Sequence, residues 1–167
     1  MAETIHMFLK ANGQEIKGFT SQKGGELANS IECISYDDST EIPQDSRLGG
    51  KAAMHSYKPI VIHKLIDTAS PLIAKALKEG APIEAEFRFF KPGGGTTVPF
   101  FTDKIAEGRV QSINRCSPDA TDPKMVCQEP FERVTFTFKK VTYSASDPED
   151  TSVTTEFADD LTTYKAA

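Results

Sequence analysis

The 167-residue chain has no apolar run near the roughly 18 residues that a membrane-spanning helix needs, so insertion as a helix is excluded. Its opening, MAETIHMFLKANGQ, turns polar by Lys10 without the apolar stretch and small-residue cleavage site of a secretory signal, and it reads as a strand. If the protein leaves a cell, the general secretory route is not expected to carry it. Basic charge is also scarce. With 19 Lys+Arg against 24 Asp+Glu the net charge is −5, and nucleic acid is not an expected partner.

Catalytic and cofactor signatures are missing as well. His6, His55 and His63 are the three histidines, and none has a second ligand type at metal spacing, so no metal or other cofactor is expected. His6 and His63 read as strand residues on polar faces. There is no Gly-x-Ser-x-Gly elbow, and Gly93 to Gly95 are not followed by Lys-Ser/Thr opening a helix, so no phosphate cradle is present. The acidic pairs Asp37-Asp38, Glu149-Asp150 and Asp159-Asp160, with Asp147, read as solvated charge. Three cysteines need their own reading. Cys116 and Cys127 bracket a ten-residue loop rich in Pro and Asp, where a hairpin would bring them within disulfide distance. Such a bond would add about 2–3 kcal/mol, and only in an oxidising compartment. Metal binding by the same two sulfurs and nucleophilic use of that loop are the competing readings, and Cys33 stays unpaired.

What is present is strand pattern. One domain spanning residues 1–167 fits the length, and roughly 70% of the unfolded surface of such a chain can be buried without a disulfide or metal. Ile5, Met7 and Leu9 alternate with His6, Phe8 and Lys10, and Asn12-Gly13 predicts a tight hairpin returning through Glu15 to Phe19. Ser30 to Tyr36 is a strand whose faces are ambiguous: Ile31, Cys33 and Ser35 on one, Glu32, Ile34 and Tyr36 on the other. Residues 37–53 show no usable period and predict a long loop of the kind that has a role. Tyr57 to Ile66 reads as a strand covered on both faces, Ile60, Ile62 and Ile66 on one side, with Pro59 limiting its start to an edge or bulge.

One helix, about 71–79, is punctuated by Ser70 as N-cap, Pro71 at the first turn and Gly80 after the last, with Leu72, Ile73, Ala76 and Leu77 as its apolar stripe. Ile83, Ala85, Phe87 and Phe89 then alternate with Glu84, Glu86 and Arg88, and Pro92 to Gly95 form a turn. A long strand from Pro99 to Asn114 follows, bent or bulged at Gly108. Val134, Phe136 and Phe138 form the next alternating face, Val141 and Tyr143 continue on the opposite phase, and Phe157 and Leu161 suggest a short last strand. Eight or nine strands and one helix predict a mainly β, antiparallel two-sheet β-barrel flanked by the short helix. The regular polar faces of Glu84, Glu86 and Arg88, and of Arg133, Thr135, Thr137 and Lys139, point to assembly through sheet edges rather than to chemistry.

Residues 63–91, HKLIDTASPLIAKALKEGAPIEAEFRFFK, resemble the core signature of the Hcp family, the haemolysin-coregulated proteins of bacterial type VI secretion. The shared elements are Lys64, Ile66 and Asp67 at a strand end, Ser70-Pro71 opening a helix, and Gly80 before an alternating charged and aromatic strand. The strand from Val134 to Tyr143 is similar too. The loop after Cys116 and the acidic stretch Asp147 to Asp150 depart from the pattern. The resemblance implies a non-enzymatic tube subunit: homo-hexameric rings that stack inside a sheath, meet a tube-tip spike, and carry small effector proteins in the lumen. It implies a cytoplasmic protein before firing that then becomes extracellular without a signal peptide. Asp38, Glu41, Asp45, Arg47 and Lys51 are the candidate ring-stacking residues, and Glu32, Tyr36 and Asp37 the candidate lumen border. With the chain stopping shortly after Leu161, the form without a fused toxin is expected. The alternative is a monomeric ligand-binding β-barrel with its pocket inside; the bulk of Ile83, Phe87, Phe89, Phe136 and Phe138 weighs against an internal cavity.

Overall fold

A computed structural model describes residues 4–20, 27–42, 55–91, 99–124, 129–147, 149–150 and 152–163. The expected turn from Pro92 to Gly95 lies outside these residues, as do Asp45, Arg47, Lys51 and Cys127. Strands β1 (Thr4–Ala11) and β2 (Gln14–Ile16) form the first hairpin, with Asn12 at φ 51° and Gly13 at φ 74°, the two positive angles that a tight turn of this kind requires. Next come β3 (Ile31–Asp37), a short ribbon of β4 (Thr40–Glu41) and β5 (Ser56–Tyr57), β6 (Ile60–Leu65) and helix α1 (Ser70–Glu79). The chain continues through β7 (Ile83–Phe90), β8 (Phe101–Cys116), β9 (Phe131–Thr137), β10 (Lys140–Ser146) and β11 (Thr154–Asp160).

The strands close in the order β8-β7-β1-β3-β6-β9 and back to β8, all antiparallel, so the expected barrel is one continuous closed sheet with extra strands. Strand β10 extends outward from β8, β11 from β10, and β2 from β1. Closure depends on a change of partner along β8. Its residues 101–106 pair with β10, and from Arg109 the same strand pairs with β9. The changeover coincides with a register slip against β7, where Ile83 faces Gly108 and Ala85 faces Ile105, leaving one extra residue in β8. Glu107 carries φ 50°, and a Cβ on Gly108 would stand 2.6 Å from the Thr137 carbonyl. The bulge expected at Gly108 is therefore the corner of the barrel.

Met7, Leu9, Ile31, Ile60, Ile62, Ile73, Phe87 and Phe136 have no exposed surface and fill the interior, the Phe87 and Phe136 rings 6.2 Å apart. Helix α1 buries Ile73 and Ala76, whereas Leu72, expected in the stripe, is 45% exposed at the rim. Gly80 ends the helix at φ 60°: its N–H reaches the Leu77 carbonyl, and the Ala81 N–H reaches that of Ala76, a left-handed stop that glycine adopts without strain.

Three expectations are corrected. Strand β6 is covered on one face only: Lys64, not Ile66, continues the row of Ile60 and Ile62, and Leu65 and Ile66 are exposed. His6 is not on a wet face. It is buried between Ser30, whose hydroxyl lies 2.9 Å from Nδ1, and the Phe90 ring, and burial lowers its pKa below the ordinary 6.5. Ser70 is the first helical residue rather than the N-cap, a position held by Ala69.

The reason for the last change is a buried ion cluster. Lys64 Nζ donates to Asp67 Oδ1 at 2.7 Å, the Leu65 carbonyl at 2.7 Å, Glu132 Oε1 at 3.0 Å and Ser70 Oγ at 3.2 Å. The Ser70 hydroxyl donates to Glu132 Oε1 at 2.7 Å, and Arg115 Nε donates to Oε2 of the same carboxylate at 2.9 Å. Just ahead of the helix, Asp67 Oδ1 accepts the Ala69 N–H at 2.9 Å and places negative charge near the helix start. Lys64 and Glu132 are fully buried, so the cluster locks α1 onto the barrel end through β6, β8 and β9. All its charges have partners, which is the condition under which buried charge is tolerated.

Two stability predictions follow from these features. Lys64→Met, which strands Glu132 and Asp67 with one cation fewer, is expected to cost about 3 kcal/mol or more in urea unfolding. Gly108→Ala, which drives a methyl group onto a strand carbonyl, is expected to cost about 2 kcal/mol or more, and Gly13→Ala, with open space around it, only about 1 kcal/mol.

Candidate functional site

The expected loop begins where β3 leaves the barrel, and the structure shows how its stems are anchored. A register slip between Cys33 and Ser35 changes the phase of β3. Ile31 and Cys33 point inward, Ser35 is exposed, and Tyr36 turns back inside, its ring edge-on to Phe87 and Phe89 at 5.1 Å each. That slip resolves the ambiguous faces of the strand. Of the three lumen candidates, Glu32 and Asp37 lie on the outer face, and the Tyr36 hydroxyl donates to Asp103 Oδ2 within the barrel.

Asp103 is fully buried on β8 opposite Phe87, in the inward row with Ile105. Burial pushes its carboxyl up to about 7 from an ordinary 3.8; the Tyr36 hydrogen bond opposes that rise and the charge of Asp38 adds to it. Asp38 accepts the Tyr143 hydroxyl of β10 on Oδ2 at 2.6 Å. Oδ1 of Asp38 and Oδ1 of Asp103 are both buried without a hydrogen-bond partner among the described residues. Both tyrosine hydroxyls are held well above their ordinary pKa, first by burial and then by the neighbouring carboxylates, so they remain donors.

The second stem is anchored on the same outer hairpin. His55 Nε2 and the Tyr57 hydroxyl each lie 2.8 Å from Asp159 Oδ2 on β11. Between the stems, β4 and β5 pair Thr40 with Tyr57 and Glu41 with Ser56, and Lys58 bridges to Glu41 at 2.9 Å. Asp38 and Asp159, expected to be solvated, are thus half-buried anchors. Glu149 and Asp150 match the expectation of exposure, in exposed local turns, whereas Asp160 is half-buried at the end of β11, 3.8 Å from Lys140 Nζ. Among the stacking candidates, Asp38 is committed to Tyr143 and Glu41 is exposed on the ribbon.

Sequence reasoning missed Asp103 and Glu132, though a signal was available. Each is an ionisable residue on the apolar phase of an alternating strand, Asp103 with Ile105 and Glu132 with Val134 and Phe136. The expectation of open edges on β7 and β9 is also corrected, because both strands are paired on both sides; β11 is paired only with β10. The polar outer faces remain. Arg88 lies 4.5 Å over the Phe8 ring and bonds Glu86, and a polar groove of about 810 Å³ is lined by Asp37, Lys58, Gln111, Asn114, Arg133 and Thr135. Cys116 is exposed at the end of β8, and its expected partner Cys127 lies outside the described residues. Cys33 is buried, which pushes its thiol up to about 12 and leaves it unreactive.

Comparison with known proteins agrees with this architecture. Residues 8–144 match the family model described as "Type VI secretion system effector, Hcp". The chain is 27% identical over 129 residues to the "Major exported protein" of Pseudomonas aeruginosa, covering 76% of this chain and 74% of that one. Among solved structures, one described as "Hcp protein" superposes with a TM-score of 0.81 at 18% identity, covering 96% of this chain and 98% of that one. Hcp1 from the E. coli EAEC 042 pathovar gives 0.78 at 24%, covering 96% and 99%. The secreted protein Hcp3 from Pseudomonas aeruginosa gives 0.71 at 20%, covering 95% and 98%. With a family match over most of its length and the same closed barrel, the chain belongs to the Hcp family of type VI secretion proteins.

Proposed function

We propose that this protein is a structural subunit of the type VI inner tube, assembling as hexameric rings that stack and carrying small effectors in the ring lumen. The observation that carries the reading is the family match over residues 8–144. The geometry is consistent with it. Phe87 and Phe136 fill the middle of the barrel, so binding falls to outer faces, one of which carries the polar groove lined by Asp37, Lys58, Arg133 and Thr135. A heterologous contact repeated about an axis closes into a ring, and rings stack only if their upper and lower faces differ and match.

In this reading the segment from Asp38 to Lys51 meets the next ring, with Glu41, Asp45, Arg47 and Lys51 supplying charges of both signs. Glu32 and Asp37 border the lumen, and Tyr36 supports that border from inside the barrel. No reaction is catalysed; the partners are other copies, the tube-tip spike, the sheath and small effector proteins. The protein waits in the cytoplasm and leaves with the tube, in line with a relative called an exported protein. A disulfide between Cys116 and Cys127 would form once the tube reaches an oxidising exterior.

Light scattering after gel filtration is expected to give about six times the chain mass, and negative-stain imaging of the same peak annular particles with an open centre. A monomer across a wide concentration range, with a small apolar ligand bound, would instead support the ligand-binding barrel. Arg47→Glu is expected to leave the single-ring mass unchanged and to reduce sedimenting stacks; stacks of normal length would remove the segment from the stacking contact.

A further inference from the structure

The β4–β5 ribbon is tied to the β10–β11 hairpin by side chains rather than by strand pairing. On one stem the ties are Tyr143 to Asp38 and, one step deeper, Tyr36 to Asp103; on the other they are His55 and Tyr57 to Asp159. The first stem is unusual in its charge. Two carboxyl groups close enough to feel each other's charge each have one oxygen occupied by a tyrosine hydroxyl and the other buried without a hydrogen-bond partner among the described residues. An ionised carboxylate only accepts hydrogen bonds, so two such groups side by side leave like charges facing each other in a poorly solvated place. Among the described residues no cation bonds either carboxyl group. Among the described residues the groups facing Asp103 are Tyr36 from β3, Asp38 beyond it, Tyr143 from β10 and the aromatic Phe87 from β7; His55 of the other stem is bonded to Asp159.

We propose that a single proton on Asp103 is a latch that holds the Asp38 stem, and with it the β4–β5 ribbon, against the β10–β11 hairpin, and that losing this proton releases the ribbon. The site would thereby regulate the surface assigned above to ring stacking; that consequence rests on the tube reading, whereas the latch itself does not.

The direction with pH is set by the raised carboxyl. A group whose folded pKa lies above its unfolded value binds the proton more tightly in the folded state, so its contribution to stability is full below the ordinary carboxylate range and is lost as pH rises to about 7. His6 acts the opposite way: its lowered pKa contributes stability that is lost as pH falls below 6.5. Global melting mixes the two, so the test has to be local.

The experiment is amide hydrogen exchange, corrected for the intrinsic pH dependence, read at Ser39 to Glu41 and Ser56 to Lys58 in the intact protein. From about pH 6 to about pH 8 the protection of these amides is expected to fall roughly tenfold along a one-proton curve, while that of β6 and β9 stays constant. Asp103→Asn, which cannot ionise, is expected to hold the protection flat. Protection that does not change with pH in the wild type, or the same response in Asp103→Asn, would each overturn the latch. Should Asp103→Asn fail to fold, the infrared carbonyl band of a protonated carboxylic acid, titrating with the same midpoint as the exchange in the wild type, serves in its place, and absence of that band overturns the proposal. Sedimentation of the wild type at both pH values separates the two ideas: a ribbon that responds while stacks do not sinks the stacking assignment and leaves the latch standing.

Discussion

Strand β8 bears the constraint on which the rest of the molecule depends. A sheet of this size has edges unless it closes, and closure here requires one strand to belong to two directions at once. Residues 101–106 lie between β7 and β10; from Arg109 onward the same strand lies beside β9. The chain from Phe131 to Ser146 runs antiparallel along nearly all of β8 and breaks at Phe138 and Lys139, opposite the bulge. Only a residue without a side chain fits at that corner, because the Thr137 carbonyl occupies the space a Cβ would need. The turn of β8 divides β9, which enters the barrel, from β10, which leads outward to the hairpin that anchors the ribbon.

Two polar clusters then mark the two ends of the closed sheet. Toward the helix, Lys64 and Glu132 replace apolar side chains in the inward rows of β6 and β9, and their charges are balanced by Asp67 and Arg115. Toward the ribbon, Asp103 and Asp38 are linked to tyrosines, with no cation bonded to them among the described residues. The contrast is physical. In the first cluster opposite charges hold one another in place, whereas in the second two carboxyl groups of like sign share a buried place.

Much of this was legible in residue order. Asn12-Gly13, the alternation of Ile83 to Phe89, the Gly80 stop and the Gly108 bulge are local features whose causes lie within a few residues, and all four stand in the structure. The misreadings share one cause: periodicity assigns a face to a residue but does not say what covers that face. His6 has a polar phase yet is buried under Ser30; Leu72 has an apolar phase yet lies at the rim; Ser70 has the chemistry of a cap yet serves a buried carboxylate. Of the stacking and lumen candidates, Asp38, Glu41, Glu32, Tyr36 and Asp37 lie on or beside the stems of the β4–β5 ribbon and on β3. The roles of Asp38 and Tyr36 as anchors were not legible, since their partners lie 105 and 67 residues away.

By itself the sequence determined that this chain is a mainly β barrel with one docked helix, and through the run from His63 to Lys91 it determined the family, because strand alternation, caps and turns are short-range and survive in one dimension. Tertiary structure decided where the charges stand. Closing β8 onto β9 brought Arg115 and Glu132 to Lys64, and the β3 slip turned Tyr36 toward Asp103. A carboxylate's behaviour depends on solvent and neighbours within a few ångströms, and those neighbours are assembled only when distant strands meet.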